Sequence, residues 1–101
     1  MEILVKIKEV HAMNESTYDN KATNTKDVFR SIGVTLDTGS DDLYVEAVQD
    51  RAEQLAQQAA TEDLKSGFFA VQLSARVREY QDKNGMTRRS TDIRLNNWRR
   101  L

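Results

Sequence analysis

Arginines and aromatic residues are concentrated in one stretch near the end of the chain, RVREYQDKNGMTRRSTDIRLNN at residues 76–97. Guanidinium groups bind phosphates, and flat aromatic rings offer surfaces on which unpaired bases stack. Two runs of β-favouring residues flank Asp82-Lys83-Asn84-Gly85, a sequence typical of a hairpin turn. The pattern predicts a β-hairpin that holds the phosphate backbone of a single-stranded nucleic acid.

The basic stretch is notable because the whole chain has a net charge of only −1. Residues 1–50 contain 5 Lys/Arg and 10 Asp/Glu, whereas residues 51–101 contain 10 and 6. From Arg76 onward the counts are 8 and 3. A local basic surface on a near-neutral protein favours a polyanion bound at one place. The alternative is that these arginines are ordinary solvated surface residues.

The candidate nucleic-acid-binding residues are the cations and rings that fall on predicted outer faces or in the turn. They are Arg76, Arg78, Tyr80, Lys83, Arg88, Arg89, Arg94, Trp98 and Tyr44. Alternation places Arg76 and Arg78 on one face of their strand, with Arg94 expected on the same face of the next. Arg88 and Arg89 are expected to extend this stripe to the tip of the hairpin. For Trp98, a half-buried core position is the alternative to base stacking.

Residues suited to catalysis or to metal binding are sparse. The chain has no cysteine, and its single histidine, His11, has no acidic cluster beside it in the sequence, so we predict no metal and no cofactor. Asp41 and Asp42 form a carboxylate pair that a turn beside Gly39 and Ser40 explains. Neither a glycine-rich phosphate loop nor a nucleophile motif occurs, and the sequence predicts a protein that is not an enzyme.

Size and composition predict one globular domain over residues 1–101. Hydrophobic residues make up 39% and charged residues 31% of the 101 positions, as in ordinary soluble domains. No apolar run approaches the roughly 20 residues of a membrane helix. The first residues, MEILVKIKEVH, lack the pattern of a secretory signal, and the absence of cysteine agrees with a cytoplasmic location.

Apolar–polar alternation predicts five strands, and the strands cover residues 2–11, 27–37, 43–49, 68–80 and 88–98. The polar residues 12–26 predict a long loop. A helical period predicts one helix over 50–65, with Asp50 and Glu53 as a capping box and Gly67 as its stop. This order predicts an all-β fold with one helix, namely a five-stranded OB-fold barrel with the helix between strands 3 and 4. Such barrels bind ligands on their outer face and loops.

The chain from Leu43 onward resembles the bacterial single-stranded DNA-binding protein family. LYVEAVQDRAEQLAQ is similar to the family's third strand and helix, and LKSGFFAVQLSARVREYQDKNGMTRRSTDIRLNN is similar to its fourth and fifth strands. Residues 1–42 match less well, and the family's flexible, partner-recruiting tail has no counterpart here. The resemblance implies a divergent, tail-less relative in which Tyr80 and the hairpin arginines match by position. It also implies a homodimer or homotetramer, for which Leu4 is a candidate contact.

Two hypotheses about function follow. The first is binding of single-stranded DNA without sequence specificity, in replication, recombination or a mobile element, with RNA as a variant of the ligand. The second is an OB-fold subunit that contacts the proteins of a replication or mobile-element complex without strong nucleic-acid binding. Target length, pathway and host are not encoded in any recognisable motif.

Overall fold

The computed structural model describes residues 2–101, which form five β-strands and one α-helix. The elements are β1 (Glu2–Asn20), β2 (Thr25–Asp37), β3 (Asp42–Val48), α1 (Asp50–Thr61), β4 (Phe69–Gln81) and β5 (Thr87–Arg100). The strands close into a barrel in the order β1-β2-β3-β5-β4, in which β3 and β5 run parallel. The predicted five-stranded barrel, with its helix between the third and fourth strands, is confirmed.

Alternating apolar residues of the strands fill the barrel interior. Strand residues that are almost completely buried include Val5, Ile7, Val34, Leu36, Val45, Phe69 and Val71. Helix α1 packs against this core through Ala52 and Leu55, both fully buried. Because the inward side chains of a small barrel occupy its interior, ligands can only be bound on its outside.

Helix α1 is shorter and starts differently than the sequence predicts. Gln49, rather than Asp50, is the residue before the first helical turn, and no side chain caps that turn. Gln49 has a positive φ of 52°, and its backbone N–H donates to the Arg30 carbonyl oxygen. Glu53 forms an ion pair with Arg30 instead of closing a capping box.

In the described residues, no helix is long and apolar enough to cross a membrane.

The end of α1 also differs from the prediction. The helix stops at Thr61, because Glu62 adopts an extended conformation, and Gly67 lies in the turn that leads to β4. Leu64, which the helical period included, is buried, but it is buried from the connection that follows the helix. A buried leucine therefore extended the apparent period beyond the true helix end.

The predicted loop over residues 12–26 is wrong. Strand β1 continues to Asn20 and pairs with β2 up to the partners Asn20 and Thr25, so that only residues 21–24 form the turn. Asn24, with a φ of 54°, supplies the left-handed conformation that this turn needs. Both faces of this segment are largely exposed to water, so it carries none of the apolar alternation that identifies a strand.

Both long hairpins extend beyond the barrel as two-stranded arms. The β1–β2 arm comprises residues 14–30, and the β4–β5 arm comprises residues 74–94 with its base at Arg94, which pairs with Glu46 of β3. The two arms do not contact each other. The radius of gyration of 15.7 Å reflects these projections, since a compact domain of this length has a value of about 13 Å.

A β-bulge in β5 changes which residues face the core. Gln72 pairs with Asn97 whereas Leu73 pairs with Leu95, so that Asn96 is an extra residue opposite the β4 ladder. As a result Trp98 pairs with the buried Val71, three residues from the inward-facing Leu95. Strict alternation places Trp98 on the outer face instead, and that prediction is wrong.

Candidate nucleic-acid interface

The register of β4 and β5 gathers most of the hairpin arginines on one face. Residues directly opposite each other in an antiparallel pair share a face, as do alternate residues of one strand. The arginine face, as we call it, consists of Ser74, Arg76, Arg78 and Tyr80 on β4 with Arg88, Ser90, Asp92 and Arg94 on β5. Tyr80 is 53% exposed. The arrangement places cations and one aromatic ring on a single water-facing surface.

Arg89 does not belong to this face. It pairs directly with Glu79 on the opposite face of the arm, where its Nε lies 3.1 Å from the Glu79 carboxylate. Neighbouring residues of a strand point to opposite sides, so Arg88 and Arg89 cannot extend one stripe together. Lys83 lies exposed in the turn at the tip of the arm.

Two arginines of the arginine face are held by carboxylates of the same arm. The Arg78 Nε lies 2.9 Å from Asp92 Oδ2, and the Arg88 Nε lies 2.9 Å from Asp82 Oδ2. No ion pair of Arg76 or Arg94 occurs in the described part of the chain. Arg76 is exposed and Arg94 is half-buried at the base of the arm, so Arg76 is the most available cation of the face.

Asp82 organises the tip of the arm. Its Oδ1 accepts hydrogen bonds from the backbone N–H groups of Asn84 at 2.9 Å and Met86 at 3.0 Å, while Oδ2 accepts from Arg88. The bond from Arg88 and those from the backbone hold the pKa of the Asp82 carboxyl below its ordinary value. Gly85, with a φ of 75°, permits the sharp reversal. Arg88 is thus committed in part to the turn.

Tyr44 lies on the outer face of β3 and is 55% exposed. Its ring lies across Gly33 of β2, since a Cβ on Gly33 would fall 2.1 Å from the Tyr44 hydroxyl oxygen. The His11 ring lies beside it, with centroids 5.8 Å apart, and the His11 Nε2 is 3.0 Å from the Thr35 hydroxyl. Because Gly33 has no side chain, the Tyr44 ring can lie flat against the sheet, and its other side is exposed.

Trp98 is packed against the core instead of standing free. It is half-buried, and its indole N–H donates to Gln58 Oε1 of α1 at 2.7 Å. The bond satisfies the polar edge of the ring while the apolar part covers the barrel interior. Trp98 therefore joins β5 to the helix, and it is not part of the arginine face.

The arginine face continues onto the barrel. Arg94 pairs in parallel with Glu46, and Tyr44 is the next residue of β3 on the same side. The structure thus brings together seven of the nine predicted residues in two groups, the arm with its tip and the Tyr44 surface, and it separates Arg89 and Trp98 from them. Sequence reasoning missed Asp92, Glu79 and Asp82 as partners of the arginines, although the hairpin register counted back from Asp82-Lys83-Asn84-Gly85 places each of them near an arginine.

In residues 2–101 no group of three or more His, Cys, Asp or Glu side chains is arranged to hold a metal ion. The carboxylates near the arginines instead act as ion-pair partners. The chemistry available on this surface is the binding of anions and the stacking of flat rings.

The fold is similar to a solved structure of the mitochondrial single-stranded DNA binding protein Rim1 from S. cerevisiae. The TM-score is 0.54 with 9% sequence identity, and the match covers 100% of this chain and 92% of that chain. The fold is an OB-fold. No protein-family model and no curated protein matches the sequence. The resemblance to the bacterial family is therefore supported at the level of fold, and membership of it stays a prediction.

Proposed function

We propose that this protein binds single-stranded DNA without sequence specificity through the arginine face and the adjoining Tyr44 surface. The observation that carries the proposal is the hairpin register: Arg76, Arg78 and Tyr80 are exposed on one face of the β4–β5 arm, and the half-buried Arg94 lies at the base of the same face. Arginines scattered for solubility need not share a face. The OB-fold, whose outer face binds oligonucleotides in many proteins, agrees with this assignment.

The proposed mode of binding combines phosphate contacts with stacking. Alternate residues of a strand lie about 7 Å apart, so Arg76 and Arg78 offer guanidinium groups in series along an extended backbone. Arg94 adds a cation on the neighbouring strand. Tyr80 and Tyr44 offer exposed rings, and each stacked base contributes about 1–3 kcal/mol regardless of its identity. Neither kind of contact reads base edges, so the binding is independent of sequence.

A titration of the protein with fluorescently labelled oligo-dT at several salt concentrations tests the proposal. Each contact between a phosphate and an unpaired cation releases counterions, so Arg76 and Arg94 together give a slope of log affinity against log salt of about −1.4. Arg78 already has a counter-charge in Asp92 and adds little to this slope. The double variant Arg76→Ala with Arg94→Ala removes the two arginines without an ion pair, and we expect a slope close to zero. An oligo-dT affinity and slope unchanged in this variant would exclude the arginine face as the site.

The finer assignments belong to the same proposal. We place the protein in DNA replication, recombination or a mobile element, in the cytoplasm, as a divergent member of the bacterial family. No group on the described surface is assigned to recognise a 2′-hydroxyl, so the ligand could equally be RNA. A titration with oligo-rU in place of oligo-dT tests this. Equal affinity for both oligomers would widen the ligand to single-stranded nucleic acid in general.

Self-association is proposed at the start of β1. Leu4 is 62% exposed and Phe68 is 53% exposed, and both line a shallow hollow of about 260 Å³. Lys6 and Asp37 lie at its rim, and the Lys6 Nζ is 4.9 Å from the Phe68 ring centroid. A second copy related by a two-fold axis would bury the apolar centre and oppose Lys6 to Asp37. We therefore propose a homodimer, or a tetramer built from it.

Light scattering at high protein concentration measures the oligomeric state. Leu4→Ser is expected to reduce the mass to that of a monomer, whereas Val77→Ser, at a residue 60% exposed on the β4–β5 arm, is the matched control and should not. The same patch favours the second candidate function, an OB-fold subunit that contacts other proteins. If the parent is a monomer and does not bind oligo-dT, the proposals of DNA binding and of self-association both fail. The OB-fold subunit that contacts other proteins is then the remaining candidate.

A further inference from the structure

Asp92 is the one carboxylate of the arginine face. Its Oδ2 lies 2.9 Å from the Arg78 Nε, and its side chain is 25% exposed against 60% for Arg78. Arg76 lies directly opposite Asp92 on β4, and Arg94 is its neighbour on the same face of β5. Three arginines of the arginine face therefore adjoin its one carboxylate, Arg78 in direct contact and Arg76 and Arg94 as neighbours in the sheet.

We propose that Asp92 occupies the position of a phosphate on the free protein and must be displaced from Arg78 when a nucleic-acid strand binds. This inference rests on the proposed function of the arginine face. An incoming phosphodiester requires the same guanidinium donors that the Asp92 carboxylate holds. A carboxylate and a phosphate that share one arginine also repel each other. Asp92 thus lowers the affinity of the site and favours release of the strand.

The other ion pairs of the arm are not equivalent to this one. Asp82 accepts two backbone hydrogen bonds besides that of Arg88, so its role is to shape the turn. Glu79 holds Arg89 on the opposite face of the arm. Asp92, by contrast, has no hydrogen bond to the backbone in the described part of the chain, and its recorded ion-pair partner is a predicted ligand-binding arginine. The Asp92–Arg78 pair can open without unfolding the tip.

The availability of Arg78 is the quantity that Asp92 controls. An ion pair that remains partly exposed is weak enough to be exchanged for a phosphate, yet it is strong enough to reduce binding several-fold. With Asp92 neutralised, Arg78 becomes a full phosphate contact, and affinity becomes more sensitive to salt by about 0.7 in the log–log slope. A role of Asp92 in folding alone would leave this slope unchanged.

The test compares Asp92→Asn with Glu79→Gln in oligo-dT titrations across salt concentrations. Both variants remove one ion-paired carboxylate of the same arm and change the net charge equally, but on opposite faces. We expect Asp92→Asn to bind about five- to ten-fold tighter at about 50 mM salt, with the steeper slope. Glu79→Gln should remain within about two-fold of the parent. Thermal melting of each variant shows that it is folded, and Asp92→Ser replaces Asp92→Asn if the amide variant is not.

Each outcome has a distinct meaning. If the parent binds oligo-dT and Asp92→Asn binds it no more tightly, the inference is overturned and the proposed function is left intact. Equal gains in Asp92→Asn and Glu79→Gln also overturn it, because net charge would then explain the effect. If neither the parent nor Asp92→Asn binds oligo-dT, the proposed function fails and the inference fails with it. Loss of the gain when Arg78→Ala is added to Asp92→Asn supports the inference directly.

Discussion

The two arms of this protein are built alike and carry different surfaces. Each is a two-stranded extension of a barrel hairpin, with a short turn at its tip. The β1–β2 arm holds three Lys/Arg and three Asp/Glu, whereas the β4–β5 arm holds six and three. In the first arm Arg30 is engaged by Glu15 and by Glu53 of α1, which ties the base of the arm to the helix. In the second, Arg76 and Arg94 form no such pair within the described residues.

The difference shows that one barrel carries two similar hairpin extensions with unlike surfaces, and under the proposed function these surfaces have different roles. A neutral arm anchored to a helix is suited to holding the barrel's shape or to contacting protein. An arm with a surplus of cations on one face is suited to a polyanion. The arms do not touch, so a change in either one can be tested without disturbing the other.

Charge reversal should give the largest contrast between the arms. Arg76→Glu with Arg94→Glu removes two phosphate contacts and adds repulsion, and we expect oligo-dT affinity to fall more than about 100-fold at about 50 mM salt. Lys21→Glu with Lys26→Glu makes the same charge change in the β1–β2 arm, and its loss should stay below about three-fold. Similar losses in both double variants would show that net charge, and not the arginine face, governs binding.

A tyrosine in each arm provides a second contrast. Tyr80 is 53% exposed and Tyr18 is 43% exposed. Loss of a stacked base gives Tyr80→Ala an affinity about ten-fold lower, with the salt slope nearly unchanged, because stacking releases no counterions. Tyr18→Ala should bind as the parent does. If Tyr18→Ala weakens binding as much as Tyr80→Ala, the β1–β2 arm also contacts the strand.

The turns of the two arms allow a third comparison. Asp82→Ala removes the acceptor of two backbone bonds, and amide exchange at Asn84 and Met86 should rise about five-fold. Asn20→Ala removes the acceptor for the Ala22 N–H, and it should raise amide exchange only at the tip of the β1–β2 arm. Exchange at both tips in either variant would mean that the arms are coupled through the barrel.

The pKa of Asp82 adds a pH dependence to that comparison. Since the Asp82 pKa in the folded protein lies below the ordinary value of 3.8, the ionised carboxylate stabilises the turn above pH 3.8. This contribution is lost as the pH falls through the lowered folded-state value. Amide protection at the β4–β5 tip should therefore decrease at acidic pH in the parent and be insensitive in Asp82→Ala. A parent tip insensitive to acid would contradict the assignment.

The smallest effect is expected within the β4–β5 arm itself. Arg89 lies on the face opposite the arginine face and is paired with Glu79. Arg89→Gln should change oligo-dT affinity by less than about two-fold, because a cation on the far face makes no phosphate contact. A larger loss in a titration at low salt would show that the bound strand wraps around both faces of the arm.

The strands that face the core were predictable from the sequence because burial imposes a period of two. Val34 and Leu36 of β2 and Phe69 and Val71 of β4 are examples, and each is fully buried. The β1–β2 arm escaped this reasoning because water lies on both of its faces, and selection for alternation is then absent. In the β4–β5 arm, by contrast, Ala75 and Val77 alternate with Arg76 and Arg78, so the apolar–polar alternation continued and the strand was recognised. A strand can be recognised from its sequence where its two faces differ in polarity.

The candidate site could be derived from the sequence only as far as the strand register could be inferred. Placing Arg76, Arg78 and Arg94 together required alternation alone, but placing Asp92 beside Arg78 required knowing where the turn ends. The position of Trp98 depended on a bulge, which leaves no signature among polar residues such as Asn96 and Asn97. The helix cap failed for a similar reason, because the Gln49 backbone bonds to a distant strand.

The bulge at Asn96 has a consequence for how the protein can change over generations. Deleting Asn96 would leave Leu95 opposite Leu73 and Trp98 opposite Val71, so that every other side chain keeps its side of the sheet. Deleting Leu95 instead would bring Asn96 opposite Leu73, inside the barrel. Because a bulge bends its strand and increases the local twist, gain or loss of this one residue alters the direction in which the arm points. Insertion or deletion of one residue at this position can thus change the direction of the β4–β5 arm without changing the arginines on its face.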